Sequence, residues 1–187
     1  MAQRIRIDKL RPELWIIAAF LLLTLPLRWL FAAVLAAAFH EICHIGTVFL
    51  LGGRIDGFSA RWDGVKLEAQ LPPGGQLLCT LAGPLGSLML LAFGKTMPVV
   101  AICAGVQGLY NLLPIWPLDG GRALKLLLRM VLNPDLSGKI ANFIEITAFL
   151  LLFVCGIYLT LWVKLGIMPL LLVSTLLLKK YSLQTAP

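Results

Sequence analysis

Both histidines of the chain lie in the pentapeptide His40-Glu41-Ile42-Cys43-His44, an H-E-x-x-H motif. On an α-helix, residues four positions apart share a face, so both imidazoles can reach one metal ion. Glu41 follows the first of these ligands, where a carboxylate can accept a proton from a water that zinc has acidified. The motif therefore predicts a hydrolytic zinc centre. The alternative interpretation is a hydrogen-bonded polar cluster that joins two helices.

A catalytic zinc site commonly has three protein ligands, and acidic residues in apolar surroundings are few in this chain. Asp119 comes after a stretch in which Pro114 and Pro117 interrupt an apolar run. A broken helix inside a membrane needs protein or a water-filled cavity to satisfy its backbone, and a hydrolytic metal needs the same cavity. We therefore predict Asp119 as the third ligand, with a helix N-cap as the alternative. Glu145 is expected to be a solvated or snorkelling carboxylate at the membrane interface.

The elements that position these residues must lie in lipid. Of the 187 residues, 59% are apolar and 13% charged, against about 45–50% and 25% in soluble domains. This composition excludes a soluble globular domain, a disordered chain and a disulfide-rich scaffold, and it indicates an integral membrane protein. The net charge of +7 comes without a basic patch interleaved with aromatic residues, so no nucleic-acid partner is expected.

Six apolar runs reach or approach the roughly 20 residues that cross a bilayer. They are Leu14–Leu27, Trp29–Leu51, Gln76–Phe93, Met97–Leu113, Ile140–Val163 and Gly166–Leu178. The chain has 16 Lys and Arg residues. A six-span arrangement places 13 of them on one side of the membrane and only three on the other, namely Arg28, Lys95 and Lys164. The more basic side, which holds both termini, is therefore predicted to be the cytosol. The stretch Gly121–Leu132 is interpreted as a cytosolic extension of the fourth helix or as an interfacial helix.

The predicted fold class is an all-α polytopic membrane protein with about six transmembrane helices and a small β-hairpin in the cytosolic loop 54–70. Asp63-Gly64 is a hairpin-turn dipeptide, and apolar and polar residues alternate on both of its arms. An exposed strand can bind an extended substrate by strand addition, so Val65 and Leu67 are candidate substrate-binding residues. We predict one membrane-embedded domain, 1–187, with a core at 28–132 and peripheral helices at 12–27, 140–163 and 166–180.

The H-E-x-x-H motif and the later sequence Asn-x-x-Pro-x-x-Pro-Leu-Asp-Gly-Gly, residues 111–121, together resemble the site-2 protease family of intramembrane zinc metalloproteases. Residues 14–19, 82–85 and 111–121 are similar to its stage IV sporulation branch, which releases a sigma factor from a membrane-bound pro-form. The resemblance implies one zinc ion held by His40, His44 and Asp119, with Glu41 as the general base. It also implies that Asn111 and Pro117 shape the site or contact substrate.

The resemblance further implies a membrane-associated protein substrate, with a pro-sigma factor suspected, and inhibitory membrane-protein partners. It implies a place in the bacterial cell membrane, with the active site facing the mother-cell cytosol. We expect the chain to lack the C-terminal CBS domain of the sporulation branch. Two other hypotheses are a catalytically silent relative that sequesters membrane clients, and a metal transporter that uses the same ligands.

Two local expectations concern small residues. Ile42-Cys43 stands where the family commonly has Leu-Gly, and we expect Cys43 to be a tolerated small residue rather than a fourth ligand. The sequence Ala82-Gly83-Pro84-Leu85-Gly86-Ser87 is expected to pack beside the metal-binding helix, because small residues let helices approach closely.

Overall fold

The computed structural model describes residues 26–61, 64–164, 170, 173–174 and 176–177. The first and last predicted spans, Leu14–Leu27 and Gly166–Leu178, therefore lie largely outside the described residues, and Asp63 of the predicted hairpin turn lies outside them too. The chain divides into two compact units, of which the first ends at Leu112 and the second begins at Leu113. That boundary falls inside the predicted core 28–132, and the description of the chain as one domain stays a prediction.

Helix α1, Leu27–Leu50, carries the H-E-x-x-H motif. The helix starts directly after Pro26, whose carbonyl accepts the first backbone hydrogen bond from Trp29. It ends in a Schellman motif, in which Gly53 N–H donates to Val48 O and Gly52 N–H donates to Phe49 O. Gly52 takes a φ of +67°, a left-handed conformation that glycine adopts without the steric cost of a Cβ. The glycines therefore fix where this helix stops.

Two antiparallel strands follow α1. Strand β1 is Arg54–Arg61 and strand β2 is Gly64–Gln70. Phe58 pairs with Leu67 and Ala60 pairs with Val65, and the register shifts between Ile55 and Gly57. Such a shift is the mark of a β-bulge, which bends a strand and increases its twist.

Two further helices complete the first unit. Helix α2 is Pro73–Met89, continued by a 3₁₀ turn at Leu90–Phe93, and helix α3 is Pro98–Asn111. Proline stands at the first position of both helices, where its missing N–H costs no intrahelical bond. The helices α1, α2 and α3 pack against one another through small buried residues, which allow close approach. These residues are Ala32, Ala36, Gly83, Gly86, Ala101, Ala104, Gly105 and Gly108.

The second unit begins with an irregular loop, residues 113–118, that leads into helix α4, Asp119–Val131. Helix α5, Pro134–Leu161, follows and packs against α4. Helix α4 corresponds to the stretch that the sequence assigned to an interfacial or extended helix. This helix carries three cations together with large apolar side chains that are exposed. Such a combination is typical of an amphipathic helix at a membrane interface. The cations are Arg122, Lys125 and Arg129, and the exposed apolar residues are Leu127, Met130 and Val131.

Three helical segments of the described chain are long and apolar enough to cross a membrane: Leu27–Leu50, Pro73–Phe93 and Pro134–Leu161. They correspond to the second, third and fifth predicted spans. Large apolar side chains on them, such as Phe31 and Phe143, are about 70% exposed, which suits lipid as the surrounding solvent and indicates an integral membrane protein. The fourth predicted span, Met97–Leu113, contains helix α3 of only 14 residues, about 21 Å long. The six-span arrangement stays a prediction.

Candidate metal centre

The two histidines of the motif converge in the middle of α1. Their Nε2 atoms lie 3.2 Å apart, and their rings meet edge to face with centroids 4.8 Å apart. His40 is only 3% exposed, and His44 is half-buried. The one-turn spacing of the sequence thus places both imidazoles on one face of the helix with the same nitrogen directed toward a common point.

The opposite ring nitrogens are held by helix α2. His44 Nδ1–H donates to the backbone carbonyl of Cys79 at 2.7 Å, and His40 Nδ1 lies 2.9 Å from the hydroxyl of Ser87. A carbonyl can only accept, so the proton of neutral His44 sits on Nδ1 and its Nε2 carries the lone pair that a metal ion would use. A ligating histidine commonly has a partner of this kind on its other nitrogen, which fixes the tautomer and the ring orientation.

The geometry within the first unit suits zinc. Two nitrogens at the usual Zn–N distance of about 2.0–2.1 Å, at a tetrahedral angle, lie roughly 3.3 Å apart, close to the observed 3.2 Å. The backbone opposite them is Gly83, where a Cβ would lie 2.8 Å from His40 Nε2 and would also overlap the His44 ring. Glycine therefore leaves open the space that the two Nε2 atoms face. His40, His44 and Asp119 supply two imidazole nitrogens and a carboxylate oxygen, a donor set that suits zinc.

The other two residues of the predicted catalytic set, Glu41 and Asp119, lie on helices α1 and α4. Glu41 follows His40 on α1 and is half-buried. Asp119 is the first residue of α4, directly after the N-cap Leu118. A carboxylate in the first turn is favoured by the positive end of the helix dipole.

The predicted substrate-binding residues fall on three different segments. Asn111 is the last residue of α3, and Pro117 is buried in the loop before α4, after a cis peptide bond. Val65 and Leu67 lie on β2, opposite Ala60 and Phe58 of β1. Their part in substrate binding stays a prediction.

Glu145 differs from its sequence-based expectation. It is 4% exposed, and its Oε1 accepts a hydrogen bond from the backbone N–H of Trp116 at 3.1 Å. The expectation of a solvated, snorkelling carboxylate is therefore wrong. The reason is that α5 turns this residue toward the loop before α4, and a peptide N–H there stabilises the buried carboxylate.

Sequence reasoning assigned the stretch 82–87 to packing beside the metal-binding helix, and α2 does pack there. It missed that Ser87 and the Cys79 carbonyl hold the two imidazoles. A signal was present, because Gly83 and Ser87 are four residues apart and so share a face of α2. On the same helix, Gly86 adjoins Cys43, whose Sγ would overlap a Cβ at that position. Cys43 thus packs against α2.

Residues 71–155 match the sequence model of peptidase family M50. A stretch of 80 residues, 43% of this chain, is 31% identical to a putative zinc metalloprotease of Thermotoga maritima and covers 16% of that protein. An alignment 139 positions long with stage IV sporulation protein FB of Bacillus subtilis shows 32% identity, and it covers 62% of this chain and 46% of that protein. The chain thus matches less than half the length of either relative.

The fold is similar to that of the solved site-2 protease from Methanocaldococcus jannaschii. The TM-score is 0.57 at 22% sequence identity, and the match covers 84% of this chain and 81% of that one. At this identity the similarity concerns the fold alone.

Proposed function

We propose that this chain is an intramembrane zinc metalloendopeptidase of the M50, site-2 protease type, because residues 71–155 match the M50 model and the aligned part is 32% identical to stage IV sporulation protein FB. The observation that carries the proposal is the pair of imidazole Nε2 atoms, 3.2 Å apart on an apolar helix of spanning length. The adjacent carboxylate of Glu41 and the two Nδ1 partners on α2 support it. Ionisable residues inside a spanning helix are costly and are kept for function.

His40, His44 and Asp119 are the proposed zinc ligands. When bound, the ion supplies polarisation of the scissile carbonyl and acidification of the attacking water. Ser87 and the Cys79 carbonyl keep the imidazoles in the ligating orientation.

Glu41 is the proposed general base. Its carboxylate takes a proton from the attacking water and then gives it to the leaving amine, so that one residue serves both steps. A positioned acid or base of this kind contributes about 10²–10⁴-fold to the rate.

The substrate is proposed to bind in an extended conformation, because a helical peptide bond is sterically closed to attack. The strands β1 and β2 have outer edges that can add a strand of substrate by backbone hydrogen bonds. Val65 and Leu67 of β2 would contact the substrate at this edge. Asn111 and Pro117 would shape the site or contact the substrate, as the resemblance to the family implies.

Within this function, a membrane-associated pro-sigma factor is the proposed substrate. The support is the 32% identity to stage IV sporulation protein FB over 139 aligned positions. Inhibitory membrane-protein partners and a place in the bacterial cell membrane belong to the same proposal. The excess of Lys and Arg on one side supports cytosolic termini and a site that opens toward the cytosol.

The test is Glu41→Gln, assayed for zinc content and for cleavage of a tagged, membrane-anchored pro-sigma factor in co-expressing cells. The variant should keep one zinc per chain and lose cleavage by at least about 100-fold. Asp135→Asn neutralises an exposed carboxylate in the first turn of α5 and should cleave normally. Client retention without cleavage by the wild type would favour the silent-binder hypothesis. Cleavage of other membrane proteins but not of the pro-sigma factor would contradict only the sporulation role.

A further inference from the structure

We propose that Glu145 is a positioning residue, which fixes the loop 113–118 and thereby the placement of Asp119 as a zinc ligand. The role rests on the proposed function, because it gives that function's third ligand its support. The observations that support it all lie in the second unit of the chain, which contains the loop, α4 and α5. None of the sequence motifs includes Glu145.

The first observation is the burial of Glu145 within a spanning helix. It lies in α5, 11 residues after Pro134, or about 16 Å along the helix, and is 4% exposed. A carboxylate in such a place is costly unless hydrogen bonds or opposite charge stabilise it. Its Oε1 accepts the backbone N–H of Trp116 at 3.1 Å, across 29 residues of sequence.

The second observation is that helix α4 holds the same peptide group. A Cβ at Gly121 would lie 2.5 Å from Ile115 O and 2.6 Å from Trp116 N, so only glycine permits this approach. The Trp116 ring lies 4.5 Å from Lys125 Nζ and 5.6 Å from Arg122 Cζ, distances typical of cation–π contacts. The peptide between Ile115 and Trp116 is thus held by α4 and by Glu145 of α5.

The third observation is the short path from this peptide to the proposed ligand. Leu118 N–H donates to Ile115 O at 2.8 Å, and Arg122 N–H donates to Leu118 O at 3.0 Å. Ile115 is fully buried and Leu118 nearly so. Asp119 comes three residues after Trp116, so a shift of the Trp116 backbone passes directly into the first turn of α4.

A cavity beside Glu145 makes it possible to distinguish a misplaced loop 113–118 from an unfolded protein. It has a volume of about 230 Å³, and its lining includes Glu145, Trp116, Lys125, Arg129 and Asn142. A polar cavity of this size admits water. In a Glu145→Leu variant, water can therefore solvate the Trp116 N–H, so the protein should fold while the loop loses its fixed anchor.

The experiment compares Glu145→Leu, which removes the acceptor, with Glu145→Gln, which keeps an acceptor oxygen at the same reach. Thr147→Val is the matched control, because Thr147 is exposed on α5 and its hydroxyl bonds only to Phe143 O among the contacts described. Amide hydrogen exchange of the peptide spanning 113–119 is measured by mass spectrometry in lipid nanodiscs. The zinc dissociation constant is measured by competition with a chelator.

Glu145→Leu should exchange faster at 113–119 and raise the zinc dissociation constant about 10–100-fold, as is common when a residue that orients a ligand is lost. Glu145→Gln and Thr147→Val should stay close to the wild type in both measurements. Wild-type exchange and affinity in Glu145→Leu would overturn the proposal, and so would equal defects in Glu145→Gln and Glu145→Leu. If the wild type binds no zinc, the proposed function fails. Unchanged exchange with zinc bound normally defeats the positioning role alone.

Discussion

Gly83→Ala tests the metal centre without replacing a ligand. The added methyl group would lie 2.5 Å from His44 Cε1 and 2.8 Å from His40 Nε2. Ordinary contact begins near 3.4 Å and the His44 Nε2 atom lies nearer still, so the His44 ring would have to retreat by at least about 0.9 Å, the difference between 3.4 and 2.5 Å, or α2 would have to move away from α1. Either movement strains the hydrogen bonds that join His40 to Ser87 and His44 to the Cys79 carbonyl.

The size of the effect follows from the tolerance of zinc sites. Ligand distances in such sites are held within about 0.2 Å, and a shift of 0.9 Å is several times larger. Loss of a residue that only orients a ligand lowers metal affinity about 10–100-fold. Direct displacement of an imidazole should therefore lower zinc affinity by at least about 100-fold.

The assay is zinc per chain by elemental mass spectrometry, with the dissociation constant from chelator competition and helicity from circular dichroism. Two controls separate the site from packing. Gly46→Ala lies on α1 two residues after His44 and meets nothing within 4 Å, so zinc binding should be unchanged. Gly86→Ala presses on Cys43 rather than on a histidine, and should disturb the packing of α1 on α2 more than zinc affinity. Wild-type zinc affinity in a folded Gly83→Ala protein would refute the reasoning.

Two further predictions concern the support of the site and the delivery of substrate. Ser87→Ala removes the hydroxyl that holds His40 Nδ1. The variant should bind zinc about tenfold more weakly while its helicity stays unchanged. Unaltered zinc affinity in the chelator assay would show that Ser87 does not orient the ligand. Val65→Pro or Leu67→Pro removes a backbone N–H from β2 and should reduce substrate cleavage while zinc stays bound. Val65→Ala and Leu67→Ala keep that N–H and serve as controls, and normal cleavage by the proline variants would argue against strand addition.

The sequence was sufficient where periodicity and chemistry act locally. The i, i+4 spacing of His40 and His44 predicts that one helix face carries both imidazoles, and the structure brings their Nε2 atoms together. The apolar runs predicted six spans, and three of them correspond to helical segments of spanning length in the described part of the chain, with ends that differ by up to six residues.

Other features depend on contacts between elements, which periodicity does not report. Glu145 has the same sequence signature whether it faces lipid headgroups or protein; only the packing of α5 against the loop before α4 decides the matter. Ser87 and the Cys79 carbonyl act through distances across two helices. Local chain geometry also sets the length of α3, because turns before Pro98 and after Asn111 limit it to 14 residues.

The most direct test of the account is zinc stoichiometry in detergent-purified wild type and Asp119→Ala. The wild type should carry about one zinc per chain, as the donor set of two histidines and one carboxylate predicts. Asp119→Ala should lose the ion or hold it far more weakly, with its helicity intact. A wild type that binds no zinc under conditions that exclude chelators would contradict the metalloprotease account. Full zinc retention by Asp119→Ala would contradict the proposed ligand set.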